Sequence, residues 1–211
     1  MSSVTDPYVP HERRYRITRG ILEAMIERPP DLLALQTHTP NPLWDEDLLS
    51  DLSLRFPLSV QISVETDRET LGPFFPRHAY PIKARIAALR RLKDRGVASV
   101  AVVSPIWPVE EMESFAHRLE EASTYVVLDH YLIGDGTSGA RTRCRMVAPG
   151  INFPDLLVKA GWEEWTRIES LDRAREIFTR VFGEERVGIS KEGFFQASHR
   201  LLGERPAAAA G

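Results

Sequence analysis

The sequence predicts an α/β fold on a parallel sheet, and three observations carry that prediction. Short apolar runs alternate along the chain with amphipathic helical patterns. Two of the runs, "VASVAVVSPIWP" and "TYVVLDHYLIGDG", are almost continuously apolar, as strands covered on both faces must be. Each run turns polar at its C-terminal end, the edge at which parallel sheets and barrels assemble their sites.

The elements follow in order. The opening "MSSVTDPYVP" has neither helix nor strand periodicity, and it lacks the charged-then-apolar pattern of a targeting peptide. Pro10 suits a first helical turn, with Glu12 behind it. Ile17, Ile21 and Met25 then recur at helical spacing, with Arg14, Arg16 and Arg19 between them, until Pro29 and Pro30 stop the helix. "DLLALQTHT" is the first candidate strand. Pro42 precedes a second helix from about Trp44 to Leu54. In "LSVQISVETD", Val60, Ile62 and Val64 alternate with Gln61 and Ser63, which is strand periodicity. Beyond the loop "LGPFFPRHAYP", Ile82, Ile86, Leu89 and Leu92 share one helical face, Arg85, Arg90, Arg91 and Lys93 lie off it, and Gly96 ends the helix. A third strand leads to a helix marked by Val109, Met112, Ala116 and Leu119, and a fourth strand follows. The pattern loosens through "TSGARTRCRMVAPG". Two closing helices run from Leu171 to Phe182, stopped by Gly183, and from Ser190, a candidate N-cap. Residues 1–140 thus read as the β/α unit, 141–203 as a loop and helical cap, and 204–211 as a disordered Ala-rich tail.

Composition narrows the function classes. The chain has 211 residues, enough for one full-sized domain, and a net charge of -3, so no global basic field points to nucleic acid. No apolar run approaches a membrane span, and a cytoplasmic address is the expectation. The single cysteine, Cys144, excludes a disulfide within the chain and any multi-cysteine metal site, so no metal ligand is assigned.

The candidate site residues lie on the four strand ends: His38 and Thr39, Ser63 and Glu65, Ser104, and Asp129 and His130. Singly, each has a structural reading as a capped loop histidine, a solvated turn or a strand exit. Gathered on one edge they form a candidate cleft. Asp129 and His130 sit inside an apolar run, where a charge needs a partner. "LIGDGTSG" lacks the Gly-Lys-Ser/Thr ending of a phosphate loop. Arg141, Arg143 and Arg145 alternate around Cys144, compatible with phosphate contacts or with a solvated loop face. Trp162 and Trp165 read as packing.

The ordered series "SVTDPYVPHERRYRITRGILEAM", "LQTHTP", "VQISVETDRE", "ALRRLKDRGVASVAVVSPIWP" and "VVLDHYLIGDGT" resembles the radical S-adenosylmethionine (radical SAM) family, in the branch of spore photoproduct lyase and DNA repair photolyase-like proteins. The resemblance runs from about Val4 to about Gly139. It implies a partial parallel (β/α) barrel, S-adenosylmethionine lying across the strand ends, and a 4Fe-4S cluster held by a Cys-x3-Cys-x2-Cys loop that generates a 5′-deoxyadenosyl radical. It places His38 and Thr39 at the third barrel strand, Ser63 and Glu65 at the fourth near ribose and methionine, Ser104 at the fifth, and Asp129 and His130 at the sixth. Nucleic acid is a partner by the same analogy. The three-cysteine motif is missing here, together with the N-terminal β/α units, so "MSSVTDPYVP" reads as the exit of a second barrel strand and the chain is expected not to bind the cluster by itself. The alternative expectation is a non-catalytic α/β module that binds a nucleoside or a protein.

Overall fold

A computed structural model describes residues 5–71, 80–148 and 150–203. The expected tail and most of the Pro- and Phe-rich loop lie outside these residues. In chain order the elements are α1 (Glu12–Tyr15), α2 (Ile17–Glu27), β1 (Leu33–Thr37), α3 (Glu46–Ser53), β2 (Leu58–Ser63), α4 (Ile82–Asp94), β3 (Ala98–Val103), α5 (Met112–Ala122) and β4 (Tyr125–Leu128). There follow α6 (Tyr131–Gly134), α7 (Ala140–Cys144), β5 (Met146–Ala148), β6 (Ile151–Asn152), α8 (Phe153–Lys159), α9 (Glu169–Phe182), β7 (Val187–Ile189) and α10 (Ser190–Gly203). Among the described residues no helix is long and apolar enough to cross a membrane.

The fold is α/β, with a five-stranded sheet in the order β1-β2-β3-β4-β7 and every pairing parallel. Register runs from Leu33 opposite Leu58 to Thr37 opposite Ile62, and from Val100 opposite Tyr125 to Val103 opposite Leu128. The expectation of about four strands is corrected by β7. This three-residue strand with a central glycine is too short to show a period, and it pairs in parallel with β4. The segment expected as loop and helical cap thereby contributes to the same sheet, and it carries the small antiparallel β5–β6 pair as well.

Alternation along the strands sorts the residues onto two faces. Leu35, Val60, Ile62, Ala101, Val103, Val126 and Leu128 join the main core with Leu49, Leu89, Leu92, Phe115 and Phe178 from the helices. Each of the larger side chains among them, Ala101 excepted, contributes about 1.5–3 kcal/mol by leaving water. Phe115 of α5 meets Phe178 of α9 edge to face, ring centroids 5.9 Å apart, which ties the two helices together. The opposite face bears Gln36, Ser59, Gln61 and Ser63 on its β1–β2 side. On its β3–β4 side it bears Val100, Val102, Tyr125 and Val127, over which Phe194 of α10 packs. One face of the sheet is therefore an apolar helix-covered core, and the other is half polar, with Phe194 of α10 packed over its apolar half.

The N-terminal helices depart from the sequence pattern. Glu12 is buried, and its carboxylate accepts hydrogen bonds from the amides of Thr18 (2.7 Å) and Arg19 (3.3 Å), satisfying donors at the start of α2. Arg16, at φ 50°, turns the elbow between the two helices. Seated this way, α2 buries Thr18 and Leu22, while Ile17 and Ile21 of the apolar stripe are 64% and 44% exposed.

Candidate functional site

The C-terminal ends of β1, β2 and β3 open onto a cleft of about 320 Å³ lined by Asp6, Gln36, His38, Gln61, Ser63 and Ser104, with Phe194 of α10 at one side. Its floor is a chain of amides and hydroxyls. Gln36 Nε2 donates to Gln61 Oε1 (2.8 Å), and Gln61 Nε2 donates to Ser59 Oγ (3.4 Å). Gln36 and Gln61 occupy register-matched positions on adjacent strands, and Ser59 lies two residues before Gln61 on the same face of β2, which is why these side chains meet. Asp6 fixes the β1 exit. Its carboxylate accepts from the Tyr8 amide (2.8 Å), the Thr37 hydroxyl (2.7 Å) and the His38 amide (2.7 Å).

Beside the cleft stands a charged trio. Glu65 is buried, with Arg85 Nη1 2.9 Å from its Oε2 and His38 Nδ1 3.4 Å from its Oε1. Arg85, in the first turns of α4, is 3% exposed and also donates 2.5 Å to the Ser63 carbonyl. Burial pushes the Glu65 carboxyl up, but the His38 contact and the Arg85 charge outweigh it and hold the group below the usual carboxylate range. The Glu65 carboxylate raises the His38 imidazole above its ordinary range against the opposing effect of burial. The His38–Glu65 interaction therefore stabilises the fold fully below the ordinary imidazole range and fades as pH rises through the elevated His38 value. Replacing Glu65 with Gln is expected to lower the His38 pKa, as read by NMR titration of its ring protons. An unchanged titration would mean that the imidazole does not sense Glu65.

The remaining strand-end residues divide. The Ser104 hydroxyl lines the cleft and donates to Asp129 Oδ2 (3.1 Å), while Asp129 Oδ1 accepts from the His130 amide (2.8 Å). His130 is fully buried and turns away. Its Nδ1 accepts from the Leu132 amide (3.2 Å), and its Nε2 lies 3.1 Å from the Trp165 carbonyl. Burial lowers its pKa, and both nitrogens are engaged with backbone. Thr39 is also buried beyond the cleft and accepts from the Asn41 amide (3.2 Å). The structure thus groups His38, Ser63 and Ser104 directly, adds Glu65 and Asp129 as their supports, and leaves Thr39 and His130 in packing roles.

Sequence reasoning missed Asp6 and Arg85, whereas Gln36 belongs to the polar cluster that the sequence places at the end of the first strand. Gln36 and Gln61 carried a usable signal, two amides at matching positions of two apolar strands. In the glycine-rich stretch, Asp135 accepts from the amides of Thr137 (2.8 Å), Gly139 (3.0 Å) and Thr142 (3.1 Å), which folds the loop and leaves Arg141, Arg143, Arg145 and Cys144 exposed on α7 and its end, outside the cleft lining.

No protein-family model matches the chain. Two curated relatives do. An uncharacterized protein of Acidianus two-tailed virus is 34% identical over 108 residues, 51% of this chain and 34% of the relative. An uncharacterized protein of Methanocaldococcus jannaschii is 32% identical over 109 residues, 51% of this chain and 40% of the relative. The aligned stretches thus span between a third and two fifths of the curated relatives.

Chemically, the cleft offers hydroxyls, amides and an imidazole whose charge Glu65 favours. Among the described residues no imidazole bridges the part-buried Ser104–Asp129 contact, since His130 is held elsewhere. Such a donor set recognises hydroxyl- and amine-bearing ligands by hydrogen bonding.

Proposed function

We propose that the cleft binds the nucleoside part of S-adenosylmethionine, and that the chain corresponds to the C-terminal part of a radical SAM enzyme resembling spore photoproduct lyase. One observation carries the reading: three consecutive parallel strands present His38, Ser63 and Ser104 to a single cleft at their C-terminal ends. Ligands settle at this edge in open α/β sheets. His38 and Ser63 are placed to meet ribose hydroxyls or the amino-acid moiety, and Ser104, oriented by Asp129, to meet the adenine side.

The iron–sulfur cluster of the resembling family does not fit this chain alone. A 4Fe-4S site takes three or four thiolates, the sequence holds one cysteine, and Cys144 is exposed away from the cleft. The family's radical chemistry would need those ligands from outside these 211 residues. Nucleic acid remains a partner by analogy, with Arg141, Arg143 and Arg145 as the exposed cations.

A second reading, a non-catalytic nucleoside-binding module, is favoured by the way Glu65 and Asp129 are already paired inside the protein, which pre-organises binding without leaving a free base. Titration calorimetry with S-adenosylmethionine, S-adenosylhomocysteine and adenosine tests both. Binding of the two sulfur-containing ligands, abolished by Gln61→Leu, is the expected result. Equal affinity for adenosine alone supports the module, and no binding of any of the three removes the cleft from consideration. Anaerobic incubation with iron and sulfide is expected to give no stoichiometric visible absorption.

A further inference from the structure

We infer that Ser104 faces the cleft as a hydrogen-bond acceptor, fixed in that polarity by Asp129 and Gly134, and that the cleft therefore selects a ring bearing an amino group over one bearing an oxo group in its place, a step that rests on the nucleoside reading of the cleft. A serine hydroxyl has one proton and two lone pairs, so its partner inside the protein settles what it can offer a ligand. Here the proton is committed. Ser104 Oγ donates to Asp129 Oδ2 (3.1 Å), and Asp129 Oδ1 is taken by the His130 amide (2.8 Å). An ionised carboxylate only accepts, so turning the Ser104 proton towards the cleft would strip a buried anion of a donor. What Ser104 presents to the cleft it lines is a lone pair, which takes an N–H and repels a carbonyl oxygen.

The carboxylate is held where this requires. The Asp129 amide donates to the Val103 carbonyl (3.0 Å), and the Asp129 carbonyl accepts from the Ile106 amide (2.8 Å), so the backbone is pinned to the end of β3 and only the side chain is left to move. Gly134 of α6 decides where it sits. A Cβ on Gly134 would lie 1.8 Å from Asp129 Oδ2 and 2.5 Å from its Cγ. The φ of Gly134 is not positive, so the backbone does not call for a glycine there; the neighbouring carboxylate does. An alanine at this position turns the carboxylate aside, away from Ser104. Because a side chain rather than backbone gives way, the fold bears the change and the polarity of Ser104 does not.

Titration calorimetry of the full chain with adenosine, inosine and purine riboside tests the inference. Adenosine carries the exocyclic amine, inosine an oxo group in its place, and purine riboside neither. Adenosine is expected to bind about tenfold or more tightly than inosine, the worth of one well-placed hydrogen bond, with purine riboside between them. In Ser104→Ala, Gly134→Ala and Asp129→Asn the ratio of adenosine to inosine affinity is expected to fall towards one, in Gly134→Ala with an unchanged circular dichroism spectrum. A purely structural role for these residues would weaken both nucleosides alike and leave the ratio untouched. Equal affinities in the wild-type chain overturn this inference alone and leave the cleft reading standing. A ratio that survives Ser104→Ala or Gly134→Ala also overturns it. No binding of any of the three nucleosides overturns the cleft reading and this inference with it.

Discussion

Replacing Arg85 with methionine is expected to destabilise the protein by about 3–5 kcal/mol at neutral pH, the usual consequence of removing one partner from a buried ion pair. Arg85 is 3% exposed, its Nη1 contacts both the Glu65 carboxylate (2.9 Å) and the Ser63 carbonyl (2.5 Å), and methionine would fill its volume without either bond. The loss falls on Glu65, which burial disfavours as an anion and which His38, largely exposed, would then support alone. The sign of the pH dependence follows. In the native protein the depressed Glu65 pKa contributes stability above the ordinary carboxylate range, and that contribution is lost as pH falls through the depressed value. In the variant burial dominates and raises the pKa, so stability falls as pH rises through the elevated value, and the deficit shrinks in mild acid, where Glu65 is protonated. Urea denaturation at neutral and mildly acidic pH measures both effects. The double variant Arg85→Met/Glu65→Leu should recover most of the loss, since an apolar pair of similar volume replaces a buried salt bridge at little cost. A single-variant cost below about 1 kcal/mol, the range of exposed pairs, would show that the trio is solvated.

Arg85 also shows why the site was only partly legible in the sequence. It lies three residues after Ile82, on the flank of an apolar stripe, and among basic neighbours it resembles a surface residue. Its burial comes from Glu65, 20 positions back, and no local pattern encodes that pairing. His130 is the converse case. Its place inside an apolar run marked it as functional, yet its partner is the Trp165 carbonyl, 35 residues on, and the ring serves the backbone. The strands β1 to β4 could be read because sheet and helix layers force continuous or alternating apolar residues. The α2 stripe was readable as a stripe, but periodicity cannot say which of two apolar faces the fold will use, and the seating of Glu12 on the Thr18 amide decided it. Gln36 and Gln61 meet only because of strand register, a property of the pair that neither strand carries alone.

Replacing Gly193 with alanine is expected to cost about 1–3 kcal/mol, the range for overpacking, and to open the half-polar face of the sheet. A Cβ built on Gly193 would lie 2.4 Å from the Gly188 carbonyl carbon, and one built on Gly188 would lie 2.5 Å from the Gly193 Cα. Both neighbours are backbone, so no side chain can rotate aside, and α10 must lift from β7. That displacement carries Phe194, which packs over Val100, Val102, Tyr125 and Val127 and also borders the cleft. Loss of stability and loss of ligand affinity should therefore appear together in this variant. Hydrogen exchange should rise along β4 and β7 while β1 and β2 keep their protection. Gln196→Ala, on the exposed side of the same helix, should leave both properties unchanged. Gly20 is the contrasting case: both are helical glycines, but a Cβ on Gly20 meets nothing within 4 Å, whereas Gly193 is the contact at which helix and strand backbones touch. A Gly193→Ala protein with an unaltered thermal midpoint and full affinity would mean that α10 is seated by its side chains, and that the roof over the sheet can move independently of β7.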